Sequence, residues 1–176
     1  MPLTRILALT LAAAAALPAC SDQARPALST VAHVDLQRFM GDWYVIANIP
    51  TSIEKNAYGA KESYRLAPDG TIETTFTFRA GAFDGPEKRH TPRGFVLDTR
   101  SNAVWGMRFV WPIKADYRIA FLADDYSETI IARNKRDYLW IMARTPHLPE
   151  AELQRLIDVA VALGYERNKI QRVPQP

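Results

Sequence analysis

The chain of 176 residues carries one cysteine and three histidines, so side chains capable of covalent or metal chemistry are few. A lone thiol excludes an intramolecular disulfide. His33 lies at the edge of a linker, His90 in a charged loop segment and His147 just before a helix; none falls on an apolar face. The chain has no Gly-x-Ser-x-Gly, His-Glu-x-x-His, Cys-x-x-Cys or Gly-rich phosphate loop, so nucleophilic, zinc-dependent and phosphoryl chemistry lack their usual signatures. Glu62 is the acid that stands out, because it shares strand parity with Tyr64 and Leu66. A carboxyl desolvated there would have a raised pKa and could act as an acid or base on a hydrophobic substrate, but an exposed rim would accommodate it as well. The expectation is a binding protein with no catalytic residue, no metal and no cofactor, with a hydrophobic-substrate enzyme as the alternative.

With 48% hydrophobic residues and a net charge of +3, the chain has material for a single core. No long Lys/Arg run occurs, which argues against a nucleic-acid partner. Arg5 is followed by an uncharged apolar run, residues 6–17, shorter than the ~20 residues needed to cross a bilayer and suited to a signal peptide. Directly after it, Leu17-Pro18-Ala19-Cys20 resembles a bacterial lipobox. Residues 1–19 are therefore expected to be a signal peptide and Cys20 a lipidation site, with a plain secretory signal cut near Ala19 as the alternative. Ser21 after the cysteine resembles lipoproteins passed on to the outer membrane, which implies a domain held by its lipid anchor on the periplasmic side. Residues 20–32 read as a tether and 33–176 as the domain.

Positioning any site falls to a run of short β-branched and aromatic segments at 43–49, 60–66, 71–79, 93–98, 103–110, 117–123, 129–133 and 138–143, separated by turn residues. Short connections make sequence neighbours antiparallel neighbours in space. One helix follows: Leu153, Leu156, Ile157, Ala160 and Leu163 recur at offsets of three and four between Pro149 and Gly164. Coming after all eight strands, it cannot be a crossover. The fold class is all-β: an eight-stranded antiparallel up-and-down barrel with the C-terminal helix packed outside.

Charges mark the outward face of each strand. Phe76 and Phe78 oppose Glu73, Arg108 places Trp105, Met107 and Phe109 inward, Tyr117, Ile119 and Phe121 oppose Arg118, and Tyr138, Trp140 and Met142 share a face. Tyr64, Phe76, Phe78, Trp105, Met107, Phe109, Tyr117, Trp140 and Met142 are thus the candidate ligand-binding residues, with the hydroxyls of Tyr64 and Tyr117 and the indole of Trp140 as candidates to orient a head group at the mouth. The bland alternative is that the same aromatics simply fill the barrel.

These residues carry a family resemblance. Gly41-Asp42-Trp43-Tyr44 resembles the Gly-x-Trp motif of lipocalins, Asp124-Asp125-Tyr126 stands where that family has Thr-Asp-Tyr, and Arg144 matches the arginine of its third motif. Together with the lipobox, this looks like the bacterial outer-membrane lipocalins, relatives of apolipoprotein D. Gly41, Trp43, Asp125, Tyr126 and Arg144 are then structural motif residues, Trp43 and Arg144 stacking at one rim. The resemblance implies an open opposite end, ringed by loop 50–59, and an apolar ligand, a fatty acid or lysophospholipid, used in lipid transport or membrane maintenance. A homodimer is left open.

Overall fold

The computed structural model describes residues 26–176; the expected signal peptide, Cys20 and the first tether residues lie outside them. After a four-residue helix α1 (Leu36–Phe39) come the strands β1 (Gly41–Ile49), β2 (Ala57–Leu66), β3 (Ile72–Ala80), β4 (Glu87–His90), β5 (Arg93–Val96), β6 (Val104–Val110), β7 (Ile113–Leu122), β8 (Glu128–Ala132) and β9 (Leu139–Ala143). Helix α2 (Glu150–Ala162) and a short β10 (Gln171–Arg172) follow. Every pairing is antiparallel between neighbours, and β9 returns to β1, closing a barrel of eight strand positions.

The strand expected at 93–98 is β5, and the Glu87–His90 segment, read from sequence as a charged loop, forms an additional strand, β4, before it. β4 and β5 both pair with β3, broken at Thr91-Pro92, where proline has no N–H to give a ladder. Only β5 carries the pairing to β6.

Bulges decide which side chains enter the barrel. In β1 the register shifts between Val45 and Ala47, so Val45 stays inside, Ile46 and Ala47 both turn outward, and Asn48 comes in opposite Trp140. A second shift in β7 between Ile119 and Phe121 turns Phe121 outward, against the expectation that it shares a face with Tyr117 and Ile119. The outward apolar set of β1, β8 and β9, including Ile46, Ile130, Leu139 and Ile141, meets Leu153, Leu156, Ile157 and Ala160 of α2. Each fully buried Leu or Ile there is worth about 1.5–3 kcal/mol, which fixes the helix on the wall.

One end is filled. Asp35 caps α1 by accepting from the N–H groups of Gln37 and Arg38, and the helix presents Phe39 between Trp43 and Trp105, with ring centroids 5.0 and 5.4 Å away. Arg144 lies 3.8 Å over the Trp43 ring and donates to the carbonyls of Arg38, Phe39 and Asp42. Gly41 takes φ +93° beside it, where a Cβ would stand 3.4 Å from the guanidinium. Tyr126, also at positive φ, accepts a hydrogen bond from the Asp35 N–H, while Asp125 holds the turn by accepting from Ser127.

Two terminal segments complete the wall. Residues 26–32, read from sequence as tether, lie against the barrel: Leu28 is buried beside α2 and bonds Asn134, and Val31 donates to the carbonyl of Ile119. Beyond α2, β10 pairs with Ala47 and Asn48, Val173 enters the interior, and Gln175 donates to Val45 and Ala60 across the seam between β1 and β2.

Candidate ligand-binding cavity

Opposite the aromatic plug the barrel encloses a cavity of about 220 Å³. An apolar cavity of ~150 Å³ already accepts a benzene ring. Its walls are Phe76 of β3, Met107 and Phe109 of β6, Ala115 and Tyr117 of β7 and Trp140 of β9. Alternation along each strand delivers these side chains to one space, and the gap left where β4 does not reach β6 opens the wall between Phe76, Pro92 and Phe109.

The other candidates sit elsewhere in the interior. Trp105 stacks on Tyr117 with rings 5.2 Å apart and belongs to the plug, its indole N–H donating to the Asn102 carbonyl. Tyr64 packs against Phe39 and Trp105. Phe78 packs on Phe76, and both stack with His90, which is the last residue of β4 and not in a loop. Met142 is fully buried opposite Val45. Phe109 stands at the mouth, half exposed.

Loop residues that carry no strand periodicity complete the site. The β1–β2 loop brings Thr51, Ser52, Ile53 and Glu54 over the opening. Glu54 is buried: its Oε2 accepts the indole N–H of Trp140 at 3.0 Å and its Oε1 accepts the backbone N–H of Thr51 at 2.8 Å. Arg133, over the Tyr138 ring, also lines the cavity. Trp140 therefore has no free indole N–H for a head group.

Glu62 projects into the cavity, and parity with Tyr64 was the signal that could find it. Burial raises its pKa to about 7; the hydrogen bond donated by Tyr64 acts downward and the charge of Glu54 upward. The Tyr64 hydroxyl has one proton, given to Glu62, so Tyr117, 2.6 Å away, donates to Tyr64. Burial pushes both phenols well above their usual range, so the chain Tyr117–Tyr64–Glu62 stays protonated on both tyrosines. These hydroxyls lie at the inner end of the cavity and not at its mouth, contrary to the head-group role expected from sequence.

A closed antiparallel barrel with one plugged and one open end, Gly-x-Trp at its start and an arginine stacked on that tryptophan, matches a family model described as a lipocalin-like domain over residues 34–175. The chain is a lipocalin. It is 28% identical over 178 residues, 98% of each chain, to the outer membrane lipoprotein Blc of Escherichia coli K12. Temperature-induced lipocalin-1 of Arabidopsis thaliana is 29% identical over 160 residues, 84% of this chain and 83% of that protein. Bovine apolipoprotein D is 29% identical over 147 residues, 77% and 74% of the two chains. Among solved structures, insecticyanin of the tobacco hornworm superposes with a TM-score of 0.68 at 14% identity, covering 86% of each chain, a likeness of fold alone. The lipocalin resemblance and the eight-stranded barrel with an outer C-terminal helix are thus both found.

Within the lipocalin frame the described residues include no helix long and apolar enough to cross a membrane, and no group of three His, Cys, Asp or Glu that could hold a metal.

Proposed function

We propose that this lipocalin is anchored through acylated Cys20 to the periplasmic face of the outer membrane and binds the acyl chain of a fatty acid or lysophospholipid, for lipid transport or membrane maintenance. The observation that carries the ligand class is the open apolar cavity walled by Phe76, Met107, Phe109 and Trp140. Transfer of an acyl chain into it releases about 0.8 kcal/mol per CH₂, enough for micromolar affinity after ordering costs. Around the mouth, the loops 50–56, 81–86, 108–114 and 133–138 hold six cations against three acids, so an anionic carboxylate or phosphate left at the rim meets favourable charge. Anchoring is supported by the lipobox-like run before Cys20 and by full-length similarity to proteins named outer membrane lipoproteins.

Mass spectrometry of lipids extracted from the purified protein tests the ligand: acyl lipids at about one per chain are expected, and a protein that carries none and takes up none on titration overturns the assignment. The acyl mass on Cys20, and loss of membrane association in Cys20→Ala, test the anchor.

A second reading rests on Glu62. A carboxyl that titrates near neutrality inside an apolar cavity, hydrogen-bonded to Tyr64, has the properties of a general acid–base acting on a hydrophobic substrate. Turnover of a bound lipid that Glu62→Gln abolishes would favour that reading; unchanged lipid recovered after prolonged incubation would discard it.

A further inference from the structure

The hairpin joining β6 to β7 ends in Phe109-Val110-Trp111-Pro112-Ile113, an uninterrupted apolar run in water. Val110 is 68%, Trp111 78% and Ile113 71% exposed. Single exposed apolar residues need no explanation, but these are consecutive, and the other open-end loops add Phe83 and Ile53, each exposed. The run is bounded by Arg108 and Lys114, whose cations both lie over the outer face of Phe95 at the base of the hairpin. An apolar tip with a cationic collar is the composition that seats at a bilayer interface.

Height favours the same surface. Asn134, in the β8–β9 loop, bonds Asp116, and Ile113 lies three residues further out, about 10 Å at 3.3 Å per residue. Strand tilt shortens that length along the barrel axis, leaving the tip beyond its contact with the β8–β9 loop by a distance within the ~5–10 Å to which interfacial apolar groups insert.

The tether decides the partner. Leu28 bonds Asn134, and Pro26 lies beside Arg136 and Gly164, so the described chain begins at the open end and not at the plug. From Cys20 to Pro26 the chain can span no more than about 20 Å at 3.3–3.6 Å per residue. An acyl group on Cys20 thus holds the mouth, and not the plugged end, nearest the lipid.

We propose that the 109–113 hairpin tip inserts into a phospholipid bilayer carrying anionic head groups, so that the cavity mouth opens onto the membrane surface. The part of the argument drawn from the tether rests on the anchoring proposed above; the apolar tip and its cations do not.

The test uses the mature chain with Cys20→Ala, which removes the acyl anchor, floated with vesicles of phosphatidylethanolamine and phosphatidylglycerol (3:1). This protein is expected to float with the vesicles and to have its Trp111 fluorescence quenched by lipids brominated in the acyl chain. Adding Val110→Ser and Trp111→Ser, both outside the cavity wall, should reduce the bound fraction at least tenfold with unchanged thermal stability. Arg108→Gln with Lys114→Gln should abolish the preference over phosphatidylcholine vesicles. Equal flotation with and without the Ser substitutions overturns the proposal. So does a tip that makes dimers in sedimentation but binds no vesicle. If wild type stays on membranes while Cys20→Ala fails to float, docking is wrong and anchoring stands; if wild type carries no acyl mass yet floats, anchoring is wrong and docking stands.

Discussion

Trp140 of the last barrel strand donates its indole N–H to Glu54 of the first loop across 3.0 Å, so the wall of the cavity holds down its own cover. Removing one partner strands a buried polar group, at a cost of about 1–3 kcal/mol. Glu54→Ala should therefore release the loop and speed dissociation of a fluorescent fatty acid at least threefold in stopped-flow measurements. Glu54→Gln, which keeps an acceptor, should restore most of the wild-type rate.

Glu62 gives the stability a pH dependence of known sign. Its proton is held to about pH 7 in the folded barrel, against the ordinary 4.5 in the unfolded chain. Between those values folding takes up a proton, so this group's contribution is complete below about pH 4.5, declines as the pH rises and is gone above 7. The loss is at most about 3 kcal/mol, less to the extent that the open cavity solvates the anion. Urea denaturation from pH 4 to 8 should show wild type falling relative to Glu62→Gln across that window; parallel curves would refute it.

Arg144→Ala should lower the melting temperature by several degrees and leave fatty-acid affinity per folded molecule unchanged. The guanidinium serves the plugged end, where it covers Trp43 and donates to four carbonyls, those of Arg38, Phe39, Asp42 and Tyr126, and the cavity is at the other. Arg144→Lys should recover only part of the loss, because one ammonium cannot replace a planar fork across those acceptors. Affinity lost at unchanged stability would contradict this.

Ala115 offers a way to fill the cavity without touching the plug. Ala115→Phe should weaken acyl-lipid binding more than tenfold in a fluorescence titration while the melting temperature stays within a few degrees of wild type. Binding that survives the substitution would place the ligand elsewhere.

Much of the barrel is legible in the sequence because alternation is a local property. In β3 the faces Ile72, Thr74, Phe76, Phe78 and Glu73, Thr75, Thr77 fall as their side chains predict. Phe121 does not, since one added residue in β7 inverts the parity and a bulge leaves no mark in composition. The strand expected at 93–98 is present as β5, but β4 is missed because the charged Glu87-Lys88-Arg89-His90 shows no apolar alternation. The cavity is less legible than the barrel: parity says that Trp105 and Met107 both point inward, but only the height along the axis separates a plug residue from a wall residue. Glu54 and Arg133 come from loops, where no period operates. Glu62 could be placed on the inner face, but its protonation depends on burial by the closed barrel and then on Tyr64 and on Glu54 of a separate loop.

The stretch from β10 to Gln175 fills the seam between β1 and β2, with Val173 inside the barrel and Gln175 bonded to Val45 across a separation of 130 residues. Beyond the direct β1–β2 ladder at residues 41–44, the seam is thus closed by residues far along the chain. Contacts of such high order form late and slowly, because the intervening chain must be organised first. A chain that lacked residues 171–175 would leave that stretch of the wall unpaired. The far end of the sequence thus serves as a latch on the first strand of the barrel.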